Sequence, residues 1–173
     1  GLPPWLAQIA RRIGVHDNWA DRLLTLQALL VAVLHVFASI ALAEDLVDEK
    51  TVHSLGQRPS VGELGRAART LSDPKNVPSR TARCLADQLS STPLPEGLEN
   101  QVNLALHQPL PLGRLAHSED ENRTYFVALA PLVLEVLPTF TRAVSEGLSI
   151  RDASATDRNQ VVVLNADEGS GPH

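Results

Sequence analysis

The residues best suited to chemistry are His117 and Arg114, which stand directly before the long apolar segment 125–140. A histidine can move a proton to or from a reacting hydroxyl, and an arginine can hold a phosphate and offset its developing charge. An arginine three positions before a histidine at the start of a helix is therefore an arrangement that could cleave RNA. The same stretch has Leu112 and Gly113 where such a site would need a second cation and a polar partner. The pattern predicts a site of this kind that is incomplete.

Other chemistry finds little support in the sequence. The glycines form neither a GxGxxG nor a GxxxxGK[ST] frame, and no GxSxG elbow occurs. No two histidines are spaced i, i+4, as a helix-borne metal site would require. The acidic run 119–121 fits the start of a helix, where the macrodipole favours negative charge. The sequence therefore predicts no cofactor and no metal site.

Composition limits the classes of function. The 173 residues suffice for one domain with a sizeable core, and an aromatic content of 3% leaves Leu, Val and Ala to fill it, which favours close-packed helices. A net charge of −5 argues against a general nucleic-acid binder, so we expect no DNA partner. The single cysteine, Cys84, fits a reducing compartment, and we expect a cytoplasmic location. Because the chain begins at Gly1 and has no methionine, we expect one module of a longer protein.

The apolar run 23–43 is the main structural signal. It is long enough to span a bilayer, but it is interrupted by four polar residues, namely Thr25, Gln27, His35 and Ser39. Its apolar residues recur at helical spacing on two faces, which favours a central buried helix over a membrane span. We expect this helix from about Trp19 to near Asp48, with Asp17 as its cap, and no membrane association.

Shorter helices are predicted around it. Pro3-Pro4 can start a first helix that stops near Gly14. The stretch Thr51–Ser60 is interpreted as a loop, and the capping-box spacing of Ser60 and Glu63 then starts a helix through Leu71. Two more helices are expected at about 80–90 and 95–107.

The last part of the chain combines a long helix with a short β segment. Ser118 and Glu121 repeat the capping-box spacing, and a helix should run to about residue 146, with kinks or a break at Pro131 and Pro138. Runs 148–150 and 160–164 favour strands around a polar turn. The predicted fold is thus mainly α, a helical bundle around one long central helix with a small C-terminal β-hairpin. The bundle would occupy 1–147, and 148–173 would be a short hairpin and flexible tail packed on the bundle or extending from it.

The order of these features resembles a known family. The opening Leu2-Pro3-Pro4-Trp5-Leu6-Ala7 is followed by Asp21-Arg22-Leu23-Leu24 leading into the long apolar helix. The middle has Arg58-Pro59-Ser60-Val61-Gly62-Glu63-Leu64, and the end has Arg114-Leu115-Ala116-His117-Ser118 before an acidic cap and a long helix. In these patterns the chain is similar to the HEPN superfamily, the helical "higher eukaryotes and prokaryotes nucleotide-binding" domains found in bacterial signalling and defence proteins. The resemblance extends to about residue 165.

The resemblance implies specific roles. Active members are metal-independent, dimeric ribonucleases with an Arg-polar-x-x-x-His motif. In this chain His117 falls on the family histidine, Leu112 and Gly113 occupy the arginine and polar positions, and Arg114 is a cation one helical turn from His117. A rival placement puts Asn103 and His107 on the motif, with Val102 at the arginine position, but it leaves too long a loop before the last helix. In both placements the motif arginine is absent.

Three functions remain open on this basis. The favoured one is a non-catalytic regulatory or interaction module of a bacterial signalling or antiviral defence protein, acting as a homodimer or with a protein partner. The resemblance then places the interface on the last helix, at Tyr125, Leu129, Leu132 and Val136. The second is a ribonuclease in which His117 is the acid or base and Arg114 the phosphate clamp, the only case with an RNA partner. The third is a sensor of a nucleotide or other small ligand.

Overall fold

The computed structural model describes residues 2–57, 59–76, 78–107, 113–114, 116–145, 148–156 and 159–166. Its helices are α1 (Pro4–Val15), α2 (Trp19–Ala43), α3 (Glu49–Leu55), α4 (Val61–Thr70), α5 (Arg80–Ser91), α6 (Leu98–His107) and α7 (Glu119–Ser145). Two strands, β1 (Leu148–Thr156) and β2 (Asn159–Ala166), follow in antiparallel register. The mainly helical fold expected from the sequence is confirmed. The hairpin as a separate appendage stays a prediction.

Helix α2 lies at the centre of the bundle, in contact with α1, α4 and α7. Its buried side chains recur through Leu23, Leu30 and Phe37, the positions that the helical spacing predicts. The side chain that caps α2 belongs to Asn18 rather than to Asp17, since its Oδ1 accepts from the amide of Asp21 at 2.7 Å. Asp and Asn are equally good caps, so adjacent candidates could not be separated in the sequence.

Helices α2 and α7 run parallel and carry the largest side chains of the core. Near their starts the rings of Trp19 and Phe126 lie 5.4 Å apart, and near their ends those of Phe37 and Phe140 lie 5.8 Å apart. Trp5 at the beginning of α1 packs edge to face with Phe140, with ring centres 6.4 Å apart. Burial of each phenylalanine contributes roughly 1.5–3 kcal/mol, so this aromatic group fixes three helices together.

The end of α2 is earlier than the sequence predicts. The helix stops at Ala43 rather than near Asp48 because Asp45 adopts a left-handed conformation, with φ of 57°. The amide of Leu46 then donates to the carbonyl of Ala41 and that of Asp45 to the carbonyl of Leu42, the bond pattern of a Schellman motif. Asp45 occupies the position where glycine is usual, so no glycine in the sequence marks the end of the helix.

The loop predicted at Thr51–Ser60 is wrong in its first half. Residues 49–55 form α3, capped by Asp48, whose side chain accepts from the amide of Thr51 at 2.7 Å. Beyond it the Ser60–Glu63 capping box is confirmed, with both reciprocal hydrogen bonds present at the start of α4. On α4 the side chains of Val61, Leu64 and Ala68 are buried.

Helix α7 is continuous through both of its prolines, so the break considered for it does not occur. Its inner face buries Leu129, Val133, Val136 and Phe140. Pro131 and Pro138 both lie on the exposed side. A proline inside a helix removes one backbone donor, and the two carbonyls left without it belong to Val127 and Leu134, whose side chains are exposed.

Two helices are long and apolar enough to cross a membrane, as judged by length and composition alone. They are α2 and the stretch Glu119–Arg142 of α7. In α2, 61% of the apolar window is buried in the bundle, which is the behaviour of a core helix, whereas in α7 only 28% is buried. Most of the apolar window of α7 is therefore not buried in the bundle.

Candidate functional site

The candidate site is the turn that leads into α7. Gly113 has a φ of 85°, a conformation that favours glycine, and redirects the chain before the helix. The capping box predicted here is confirmed, because the amide of Ser118 donates to Glu121 at 2.7 Å and the amide of Glu121 donates to Ser118 Oγ at 3.2 Å. Ser118 is thus fastened to the first turn of α7 at the point where the loop enters the helix.

Arg114 is engaged by an acid of that same turn. Its guanidinium forms a two-pronged ion pair with Glu121, one arm at 3.1 Å, and it also donates to the carbonyl of Ala116 at 3.4 Å. The hydrogen bond from Arg114, followed by those from Ser118, lowers the pKa of Glu121 to about 2. The same hydrogen bond with Glu121 raises the pKa of Arg114 above its usual value. Glu121 therefore stays ionised at neutral pH and occupies the fork that would hold a phosphate.

His117 is half-buried at the start of the helix. Its ring packs edge to face with that of Tyr125, with ring centres 5.5 Å apart. Its Nδ1 is shut off from solvent and has no hydrogen-bond partner, while its carbonyl is within 3.5 Å of the side-chain amide of Asn122. Because Nδ1 is enclosed, only Nε2 could exchange a proton with a bound molecule. A second polar group to orient the ring, as acid–base catalysis usually requires, is not seen at Nδ1.

A second set of contacts, which the sequence analysis missed, joins the starts of α2 and α7. A carboxylate oxygen of Glu119 accepts from the amide of Trp19 at 2.7 Å. The guanidinium carbons of Arg22 and Arg123 lie 4.8 Å and 5.6 Å from the Trp19 ring centre. Such cation–π contacts stabilise the junction, and they occupy the indole on which a nucleobase would stack. The sequence assigned Glu119 only to its own helix, since nothing local indicates a partner 100 residues away.

The residues proposed for an interface divide into two groups. Leu129 and Val136 are buried in the core, at 0% and 1% exposure. Tyr125 and Leu132 are half-buried and pack against that core. Among the described side chains of α7, the exposed large apolar ones are Val127 and Leu134.

The other residues that the two motif placements involve do not add to the site. Val102, at the arginine position of the rival placement, is fully buried, and Asn103 is exposed on α6. Leu112, Leu115 and the side chain of His107 lie outside the described residues. Among the side chains that are described, no cluster of three or more His, Cys, Asp or Glu could hold a metal ion.

The known proteins give no further guidance: no family model, no curated protein and no solved structure matches this chain. The geometry offers an arginine occupied by a carboxylate, a histidine with one open nitrogen, and an exposed apolar face on α7.

Proposed function

We propose that this chain is a catalytically inert helical interaction module, similar to HEPN domains, within a bacterial signalling or antiviral defence protein of the cytoplasm. It would act by binding a second copy of itself or a protein partner. The observation that carries the proposal is the ion pair between Arg114 and Glu121. Arg114, the cation that lies three residues before His117, is therefore occupied by a carboxylate instead of being open to a phosphate.

The ion pair opposes phosphate binding in two ways. A phosphate would have to displace Glu121, and Glu121 also accepts from Ser118 as part of the helix cap. The displaced carboxylate would remain beside the phosphate, together with the exposed acids Glu119 and Asp120, and like charges at this range repel. Losing an electrostatic clamp of this kind costs about 10²–10³ in rate, which supports a module that does not cleave RNA.

The uncovered side of α7 supports association. Val127 and Leu134 are 59% and 64% exposed, and Pro131 and Pro138 lie between and beyond them on the same face. Aligned exposed apolar residues favour contact with another protein surface more than scattered ones do. We further propose that the C-terminal residues 148–173 are the short hairpin and flexible tail expected from the sequence, packed on the bundle or extending from it.

The experiment is an RNA cleavage assay with the purified chain. Wild type and His117→Ala are incubated with a fluorescent single-stranded RNA, with and without EDTA, and we expect no cleavage by either. The matched control is His53→Ala, because His53 is an exposed histidine on α3, away from α7. Cleavage by wild type and by His53→Ala, but not by His117→Ala, would overturn the inert reading and establish the ribonuclease.

A further inference from the structure

An apolar stripe follows the outer face of α7. It consists of Val127, Pro131, Leu134 and Pro138, and it is called the outer stripe below. All four side chains are exposed, and their spacing of four, three and four residues places them on one side of a helix. The core-facing residues Leu129, Val133, Val136 and Phe140 repeat the same spacing on the opposite side. Helix α7 thus has two apolar faces, of which the bundle covers one.

Opposite charges stand at the two ends of the outer stripe. Asp120 precedes Pro131 by 11 residues and Arg142 follows it by 11, and both side chains are exposed. At 100° per residue, each lies within about 20° of the direction in which Pro131 points. The two charges are therefore equally far from the middle of the stripe, about 16 Å on either side.

We propose that the outer stripe is covered by the same stripe of a second copy of this chain, in an antiparallel pair with its two-fold axis at Pro131. This arrangement places Asp120 against Arg142 of the second copy twice, once at each end, as isologous contacts require. A parallel pair would instead place Asp120 beside its own equivalent and Arg142 beside its own, and like charges are unfavourable. The proposal rests on the proposed function, since it names the partner and geometry of the association.

The other charges on this side of α7 are compatible with the register. Arg123 and Glu135 flank the stripe on opposite sides. With the axis at Pro131, Glu135 is level with Val127 of the second copy and Arg123 is level with Thr139. Neither charge therefore meets a like charge. A single pair of helices buries little area compared with a standard interface of about 1,600 Å², so we expect dissociation constants in roughly the micromolar range or weaker.

The test measures self-association of the whole chain by sedimentation equilibrium between about 10 and 500 μM. We expect wild type to dimerise, and Asp120→Arg and Arg142→Asp each to weaken the dimer by about tenfold or more, because each replaces two attractive pairs by two repulsive ones. An equimolar mixture of these two variants, or the double variant, should regain wild-type association. Circular dichroism checks that each variant is folded.

Two further variants locate the contact. Leu134→Lys should abolish the dimer, whereas Leu24→Lys, at an exposed leucine of α2 (58%), should leave it unchanged. A monomeric wild type at 500 μM, or a dimer unaffected by Leu134→Lys, would overturn the proposal. Failure of the mixture to recover would overturn the antiparallel register. Binding of a monomer to anionic vesicles, lost in Leu134→Lys, would overturn it in favour of a membrane surface. None of these results depends on RNA cleavage, so failure of the inert assignment is seen separately.

Discussion

Replacing Gln27 by leucine should make this protein more stable. Gln27 lies on the buried side of α2, between Leu23 and Leu30, and is only 5% exposed. Its side-chain nitrogen Nε2 is shut off from solvent without a hydrogen-bond partner. A buried donor left in this state costs about 1–3 kcal/mol, and leucine removes the donor while filling most of the same volume.

Other contributions to the change are small. Leucine and glutamine have nearly equal helix propensities, and imperfect shape should offset no more than about 1 kcal/mol of the gain. We therefore expect the free energy of unfolding to rise by about 1–2 kcal/mol. For a domain of this length that corresponds to an increase in Tm of about 2–8 °C. Gln27→Ala, which also removes the donor but leaves a void, should not show the gain.

The assay is urea denaturation at pH 7 followed by circular dichroism, with a thermal melt beside it. The matched control is Gln8→Leu on α1, where the glutamine is exposed and the substitution should change stability by less than about 0.5 kcal/mol. Loss of stability by more than about 1 kcal/mol in Gln27→Leu would show that Nε2 has a partner, such as an internal water, and would refute the reasoning. An equal gain in Gln8→Leu would attribute the effect to hydrophobicity alone.

Three further predictions follow from single groups. Asp45→Gly should raise the free energy of unfolding by about 0.5 kcal/mol, since only glycine adopts a φ of 57° without strain. Asp45→Val should lower it by about 1–2 kcal/mol for the same reason. The urea midpoints of the two variants measure both changes. Glu121 has a folded-state pKa of about 2. Its contribution to the free energy of unfolding is therefore complete above the ordinary pKa of 4.5 and is lost as the pH falls toward 2. The difference in urea midpoint between wild type and Glu121→Gln should shrink over that range, and a constant difference would contradict the ion pair. Burial lowers the pKa of His35 below 6.5, so the unfolded chain binds the proton first and wild type should lose stability relative to His35→Leu as the pH falls through 6.5. If the free energies of unfolding of the two proteins changed in parallel with pH, the buried position of His35 would not lower its pKa.

Local patterns predicted most helix starts, because a capping side chain lies next to the helix that it caps. The boxes at Ser60 and Ser118 show this. Helix ends were less predictable. The end of α2 depends on a left-handed Asp45, and aspartate also occurs within helices. A helix predicted to run to near Asp48 leaves no place for that residue as the cap of α3, which is its role in the structure.

The candidate site shows a different limit of the sequence. Leu129 and Leu134 both belong to apolar stripes of α7 with helical spacing, and nothing within the helix tells which stripe faces inward. That choice depends on Phe37 and its neighbours on α2, about 100 residues earlier. The partner of Arg114 lies closer in the sequence, since Glu121 follows it by seven residues. The sequence does not show which of the nearby acids pairs with Arg114, because that depends on the turn at Gly113.

The parallel packing of α2 and α7 also bears on the order of folding. The hydrogen bond between Trp19 and Glu119 closes a loop of 100 residues, whereas His16 and Thr25, which join α1 to α2, are nine residues apart. Closing long loops costs chain entropy before their contacts form. We therefore expect α1, α2 and α4 to assemble first and α7 to dock last, so that weakening the contacts of Phe140 mainly speeds unfolding. Until α7 docks, both of its apolar faces are exposed, and this late step is the one at which the chain is most prone to aggregate.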